Sequence, residues 1–131
     1  MKIERPKTIL IVEDDQGVLA IMEKYLRHAG YEVIAAHDGM EGLKKVRQGG
    51  YDLVITDIVM PYVSGAGVLS AVKERNPSTP VIVMTGFGLE SHSVAVEKRA
   101  DLVLSKPVKM AKILEYVRNF LNLSQGELGS K

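Results

Sequence analysis

The chain has 131 residues, of which 46% are hydrophobic and 25% charged, with a net charge of +1 and no cysteine. A domain of that length buries roughly two-thirds of its unfolded surface; the composition argues against a disordered or membrane-embedded chain, and the lack of cysteine excludes disulfides and thiolate metal sites. Lysines and arginines lie scattered among acids without forming a basic stripe, so direct nucleic-acid binding by this chain is not expected.

The amino terminus, "MKIERPKTILIV", has too short an apolar run for a signal-peptide core or a membrane span, so no membrane contact is expected and a cytoplasmic placement is the default. Residues 1–6 read as an extension. A first strand is predicted over "TILIV" at Thr8–Val12, followed by three adjacent acids, Glu13, Asp14 and Asp15. Val18, Ile21, Met22, Tyr25 and Leu26 then recur at helical spacing, closed by Gly30. A second strand is predicted at 31–36 and a helix marked by Met40, Leu43 and Val46, stopped by Gly49 and Gly50. "DLVIT" at 52–56 reads as a third strand, followed by Asp57, and Val68, Leu69 and Val72 mark a helix ending before Asn76 and Pro77.

"PVIVMT" at 80–85 reads as a fourth strand and "DLVLS" at 101–105 as a fifth. Between them, 89–99 alternates with period two like a strand, but topology argues for a helix. Met110, Ile113, Leu114, Val117 and Leu121 mark the last helix, and 124–131 reads as a polar tail or linker stub after a single domain at 7–123. Short Val- and Ile-rich runs suit strands buried on both faces. Five strands alternating with five helices fold, through right-handed crossovers, into an open, doubly wound parallel sheet of the α/β class.

Ligands of such sheets bind beyond the carboxyl ends of the strands. Glu13, Asp14 and Asp15 follow the first strand and Asp57 the third. Thr85 and Gly86 follow the fourth, and Lys106 and Pro107 the fifth, so these groups converge on one edge. Acids from two strands can share a hard divalent cation, magnesium or alternatively manganese rather than zinc. A carboxylate touching such an ion is a nucleophile towards phosphorus, and the Thr85 hydroxyl and Lys106 ammonium are suited to holding the oxygens of a transferring phosphoryl group.

With "ILIVEDD", "GYEVIAAHDGMEGL", "YDLVITDIVMPYVSG", "VIVMTGFG" and "LVLSKPV" in order, the chain resembles a response regulator receiver domain of two-component signalling over about residues 7–123. The resemblance implies a flavodoxin-like sheet of strand order 2-1-3-4-5. It also implies that Asp57 accepts a phosphoryl group from a histidine kinase or phosphotransfer protein, that magnesium is required, and that Thr85 and Lys106 sense the product. Metal ligands would be Asp14 and Asp57, with Glu13 acting through a water and the Val59 backbone carbonyl completing the set. Asp15 would be left to begin the first helix, where an Asp accepts a backbone N–H. The Lys106–Pro107 bond would be cis. Output would pass to a downstream protein or a fused output domain, from a monomer or a phosphorylation-dependent dimer, without turnover as an enzyme.

Tyr62 and Phe87 border this expected site, and Val59 and Phe87 are candidates for setting the phosphoryl lifetime. His28, His37 and His92 read as surface residues remote from the strand ends. Two departures stand out: Val103 occupies the position of the family's switch aromatic, and the interval from Thr85 to Lys106 is one residue short, which displaces the helix between them. Two rival readings follow: a degenerate receiver acting as a constitutive binding module, and a haloacid-dehalogenase-type phosphatase with Asp14 as nucleophile.

Overall fold

Strands and helices alternate over residues 8–85 of the computed structural model, which describes residues 5–60, 63–86, 96 and 99–129, the last eight by backbone alone. The order is β1 (Thr8–Val12), α1 (Gln16–His28), β2 (Glu32–Ala36), α2 (Gly39–Gln48), β3 (Leu53–Asp57), α3 (Gly65–Arg75), β4 (Val81–Thr85), β5 (Leu102–Ser105) and α4 (Met110–Gly129). Of the helix expected at 89–99 only Val96 and Arg99 are described, both helical; its other residues, together with Tyr62, Phe87 and His92, lie outside the described residues.

The five strands form one parallel sheet in the order β2-β1-β3-β4-β5. That order explains their burial. β3 and β4 are interior and buried at every position, whereas the edge strands β2 and β5 are only partly covered. Successive side chains point to opposite faces. Ile9, Ile11, Ile55 and Met84 therefore meet α1 and α4 on one side, while Leu10, Val12, Val54 and Val83 meet α2 and α3 on the other. Both faces are cores, which is why the strands read as unbroken apolar runs.

The apolar faces of two helices differ from expectation. In α1 the sheet covers Leu19, Met22 and Leu26, and leaves Ile21 52% and Tyr25 49% exposed. The sequence stripe is wider than the face the sheet can cover. In α2, Met40 is exposed and the buried face is Gly39, Gly42 and Val46. A Cβ on Gly42 would meet the Val12 side chain, so α2 approaches β1 too closely for a larger residue there. Gly30 closes α1 as expected: at φ +104°, it lets the Gly30 N–H reach the Arg27 carbonyl at 3.0 Å and the Tyr31 N–H that of Leu26 at 3.1 Å. The last helix continues to Gly129, beyond its apolar pattern.

Opposite the carboxyl edge, the sheet is tied by a lysine. Lys73 Nζ, its side chain 9% exposed, donates to the Thr79 carbonyl and to Asp101 Oδ2, each at 2.7 Å, and Asp101 Oδ2 also accepts the Val81 N–H at 2.8 Å. Asp101→Ala would leave a largely buried ammonium without its anion and a strand-initiating N–H without an acceptor. We expect it to cost about 2 kcal/mol, discounted for the partly exposed carboxylate, measured as a lower urea midpoint at unchanged m-value.

Candidate functional site

The carboxyl edge is built by strand ends in register. Glu13 extends β1 by one residue, its N–H donating to the Ala36 carbonyl at 3.0 Å. This carries its side chain inward, where it is fully buried. Glu13 Oε2 accepts the Asp15 N–H at 3.0 Å and Oε1 accepts Lys106 Nζ at 2.9 Å. Asp14 is exposed. Asp15 caps α1, its Oδ1 accepting the Val18 N–H at 3.1 Å. The three adjacent acids thus have three different environments.

Asp57 is the last residue of β3 rather than the first beyond it, because β3 begins at Leu53, one residue later than expected. It pairs in register with Met84 and is 5% exposed, and its Oδ2 accepts Lys106 Nζ at 3.1 Å. The carbonyl of Asp57 accepts the Thr56 hydroxyl at 2.9 Å, and the following N–H, from Ile58, donates to the Met84 carbonyl at 2.9 Å. Thr85, buried at the end of β4, donates its hydroxyl to the Leu104 carbonyl at 3.4 Å, while its own carbonyl accepts the Lys106 N–H at 2.8 Å. The Lys106–Pro107 bond is cis.

The electrostatics follow from this burial. Loss of water pushes the Glu13 carboxyl above its ordinary value, opposed by the Asp15 N–H and the Lys106 ammonium. Burial acts downward on Lys106, but its hydrogen bonds to Glu13 and Asp57 outweigh that and raise it, so the ammonium stays charged. Glu13, Asp14 and Asp57 each offer one carboxylate oxygen, all within 4.8 Å of one another. An all-oxygen set with one exposed member matches a hard divalent cation that keeps several waters.

The loop after β3 is fixed by a close backbone approach. The Gly65 N–H donates to the Ile58 carbonyl at 2.9 Å, and a Cβ there would collide with the Asp57 carbonyl. Gly65→Ala must therefore displace the residue at the centre of the site. We expect a loss of about 2 kcal/mol in urea unfolding, together with weaker magnesium binding, because the Asp57 backbone moves.

Of the expected site residues, Glu13, Asp14, Asp57 and Lys106 come together in this cluster and Thr85 borders it through its carbonyl, whereas Val59 is exposed and is not among the groups that meet there. The direct pairing of Lys106 with Glu13 was not anticipated; only the tertiary fold brings β5 across to β1. His37 corrects an expectation, because it follows β2 directly at the carboxyl edge. It is exposed, and its N–H donates to Glu41 Oε1 at 2.9 Å. Asp38 caps α2 by accepting the Glu41 N–H at 2.7 Å. The spacing Asp38-x-x-Glu41 is the sequence signal that could have revealed this.

A family model described as the response regulator receiver domain matches residues 9–118. Among curated proteins, the transcriptional regulatory protein CusR of Escherichia coli is 35% identical over 114 residues, covering 86% of this chain and 50% of that protein. The uncharacterized transcriptional regulatory protein YkoG of Bacillus subtilis is 32% identical over 111 residues, covering 84% of this chain and 49% of that protein. The chain thus spans about half the length of these curated relatives. Among solved structures, a CheY-like receiver domain protein from Methanospirillum hungatei has a TM-score of 0.86 at 31% identity, covering 94% of this chain and 99% of the other. The response regulator TrrA from Thermotoga maritima, solved in complex with Mg(2+)-BeF, has a TM-score of 0.79 at 31% identity, covering 88% and 99%.

Proposed function

The chain belongs to the response regulator receiver domain family, and from that premise we propose that Asp57 is its phosphoacceptor, charged by a histidine kinase or phosphotransfer protein. The observation that supports the assignment is the place of Asp57 at the end of β3, where it shares the acidic cluster with Glu13 and Asp14 and accepts the Lys106 ammonium. A receiver of this family is a switch rather than a turnover enzyme.

In the proposed transfer an Asp57 oxygen forms a bond to phosphorus as the P–N bond of a donor phosphohistidine breaks and the electron pair returns to the imidazole. Asp14 and Asp57 would hold magnesium, or manganese, directly, with Glu13 through a water and the Val59 carbonyl as a further ligand. The ion supplies charge neutralisation for the phosphoryl oxygens. TrrA, a structural relative, was solved with this metal and a beryllofluoride group, which supports the reading here. Lys106 and Thr85 pair with the new charge, nearly two negative units at one strand end. Each must then loosen a present contact, Lys106 with Asp57 and Thr85 with the Leu104 carbonyl. This biases a two-state surface towards new protein contacts.

Residues 7–123 would form the receiver, 1–6 an extension and 124–131 a tail or linker stub, acting in the cytoplasm. Among the described residues no helix is long and apolar enough to cross a membrane. Output would go to a separate protein or a fused domain, from a monomer or a phosphorylation-dependent dimer. Val59, exposed and two residues after Asp57 in the chain, has no group to orient an attacking water, so the acyl phosphate should be lost slowly. Incubation with a small acyl phosphate and magnesium, followed by peptide mass mapping, tests the assignment: phosphate on Asp57 supports it, and phosphate on Asp14 or none at all refutes it.

A further inference from the structure

Behind the site, on the α1 and α4 side of the sheet, lies a cavity of about 390 Å³. That volume is in the range of small-molecule sites. Its walls include Val18 and Met22 from α1, Met84 from β4, and Met110 and Ile113 from α4. Met22, Met84 and Ile113 are each only 2% exposed, so the cavity reaches the core rather than lying flat on the surface. Three methionines give it a lining that can adjust to shape. Among its described lining residues Lys106 is the only polar side chain.

We propose that this cavity is a binding site for a small uncharged apolar molecule carrying one hydrogen-bond acceptor, coupled to the phosphorylation site through Lys106. An ammonium has three donors, and two of those on Lys106 go to Glu13 and Asp57. Among the described residues the remaining donor has no acceptor, and in this proposal the ligand supplies one. The same two carboxylates disfavour an anionic ligand, and the apolar walls disfavour a cation. A neutral carbonyl at the end of an apolar body meets both conditions.

The coupling has a second element. Met84, which lines the cavity, is the register partner of Asp57, and its carbonyl accepts the Ile58 N–H. An occupant therefore touches both the lysine that contacts Asp57 and the strand position beside it. Under the proposed function, which this coupling presupposes but binding itself does not, Lys106 turns to the phosphoryl group and ligand affinity changes. Linkage makes the effect reciprocal.

The test follows methyl-labelled methionines by NMR during titration with acetophenone, with benzoate as the charged analogue and ethylbenzene as the analogue lacking an acceptor. Saturable shifts at Met22, Met84 and Met110 are expected, with acetophenone bound at least fivefold more tightly than either analogue. In Lys106→Met the advantage over ethylbenzene should vanish while ethylbenzene still binds. Magnesium with beryllofluoride should weaken acetophenone binding to the wild-type protein at least threefold. No saturable shift at these methyls, equal affinity for all three compounds, or a preference that survives in Lys106→Met overturns the site. Unchanged acetophenone affinity with beryllofluoride seen bound by fluorine NMR overturns the coupling. Failure of beryllofluoride to bind at all would instead count against Asp57 as phosphoacceptor.

Discussion

Asp57→Asn protein, incubated with a small acyl phosphate and magnesium, is expected to gain no phosphoryl mass, with a rate lowered by more than about 10³-fold, the scale seen when a nucleophile is removed. The amide keeps the shape of the side chain but offers no anionic oxygen to phosphorus. The fold should survive, because Asn still fits the end of β3 and Lys106 keeps its 2.9 Å bond to Glu13. Removing the Asp57 charge also relieves one of the influences that push the buried Glu13 carboxyl up. The urea midpoint without metal should therefore be at or above that of the wild type. A stable variant phosphorylated at the wild-type rate would place the acceptor elsewhere.

What could be read from sequence follows a physical division. The strands were legible because both faces of β1, β3 and β4 are buried, leaving apolar runs with no period to interrupt them. The residues at their ends were legible because a parallel sheet delivers every carboxyl end to one edge. Helix faces were less so. An apolar stripe says that a helix has a buried side, but its rotation depends on how closely it can approach the sheet. At α2 Gly42, which lies against Val12 of β1, sets that approach, and Met40 is left exposed. Pairings across the sheet, such as Lys106 with Glu13, join residues 93 positions apart and leave no local periodicity to detect. The same holds for Gly65, whose need to be glycine arises only where α3 meets the backbone of Asp57.

The three acids after β1 allow the sharpest discrimination. Asp14 is exposed, offers an oxygen to the cluster with Glu13 and Asp57, and makes no hydrogen bond through its side chain among the described residues. Asp14→Ala should leave the urea midpoint nearly unchanged but weaken magnesium binding roughly tenfold or more, because affinity follows the ligand charge count, and phosphorylation should fail with it. Asp15→Ala should do the reverse. It removes the acceptor of the Val18 N–H, at a cost of about 1 kcal/mol, while the backbone N–H that holds Glu13 Oε2 remains in place. Magnesium affinity should then stay within about twofold of wild type, since the first helix retains its packing against the sheet through Leu19, Met22 and Leu26. Isothermal titration with magnesium, paired with urea unfolding of both variants, separates the roles. Equal loss of metal binding in the two proteins would mean that the metal-binding pair is Asp14 and Asp15, and that buried Glu13 serves only to anchor Lys106.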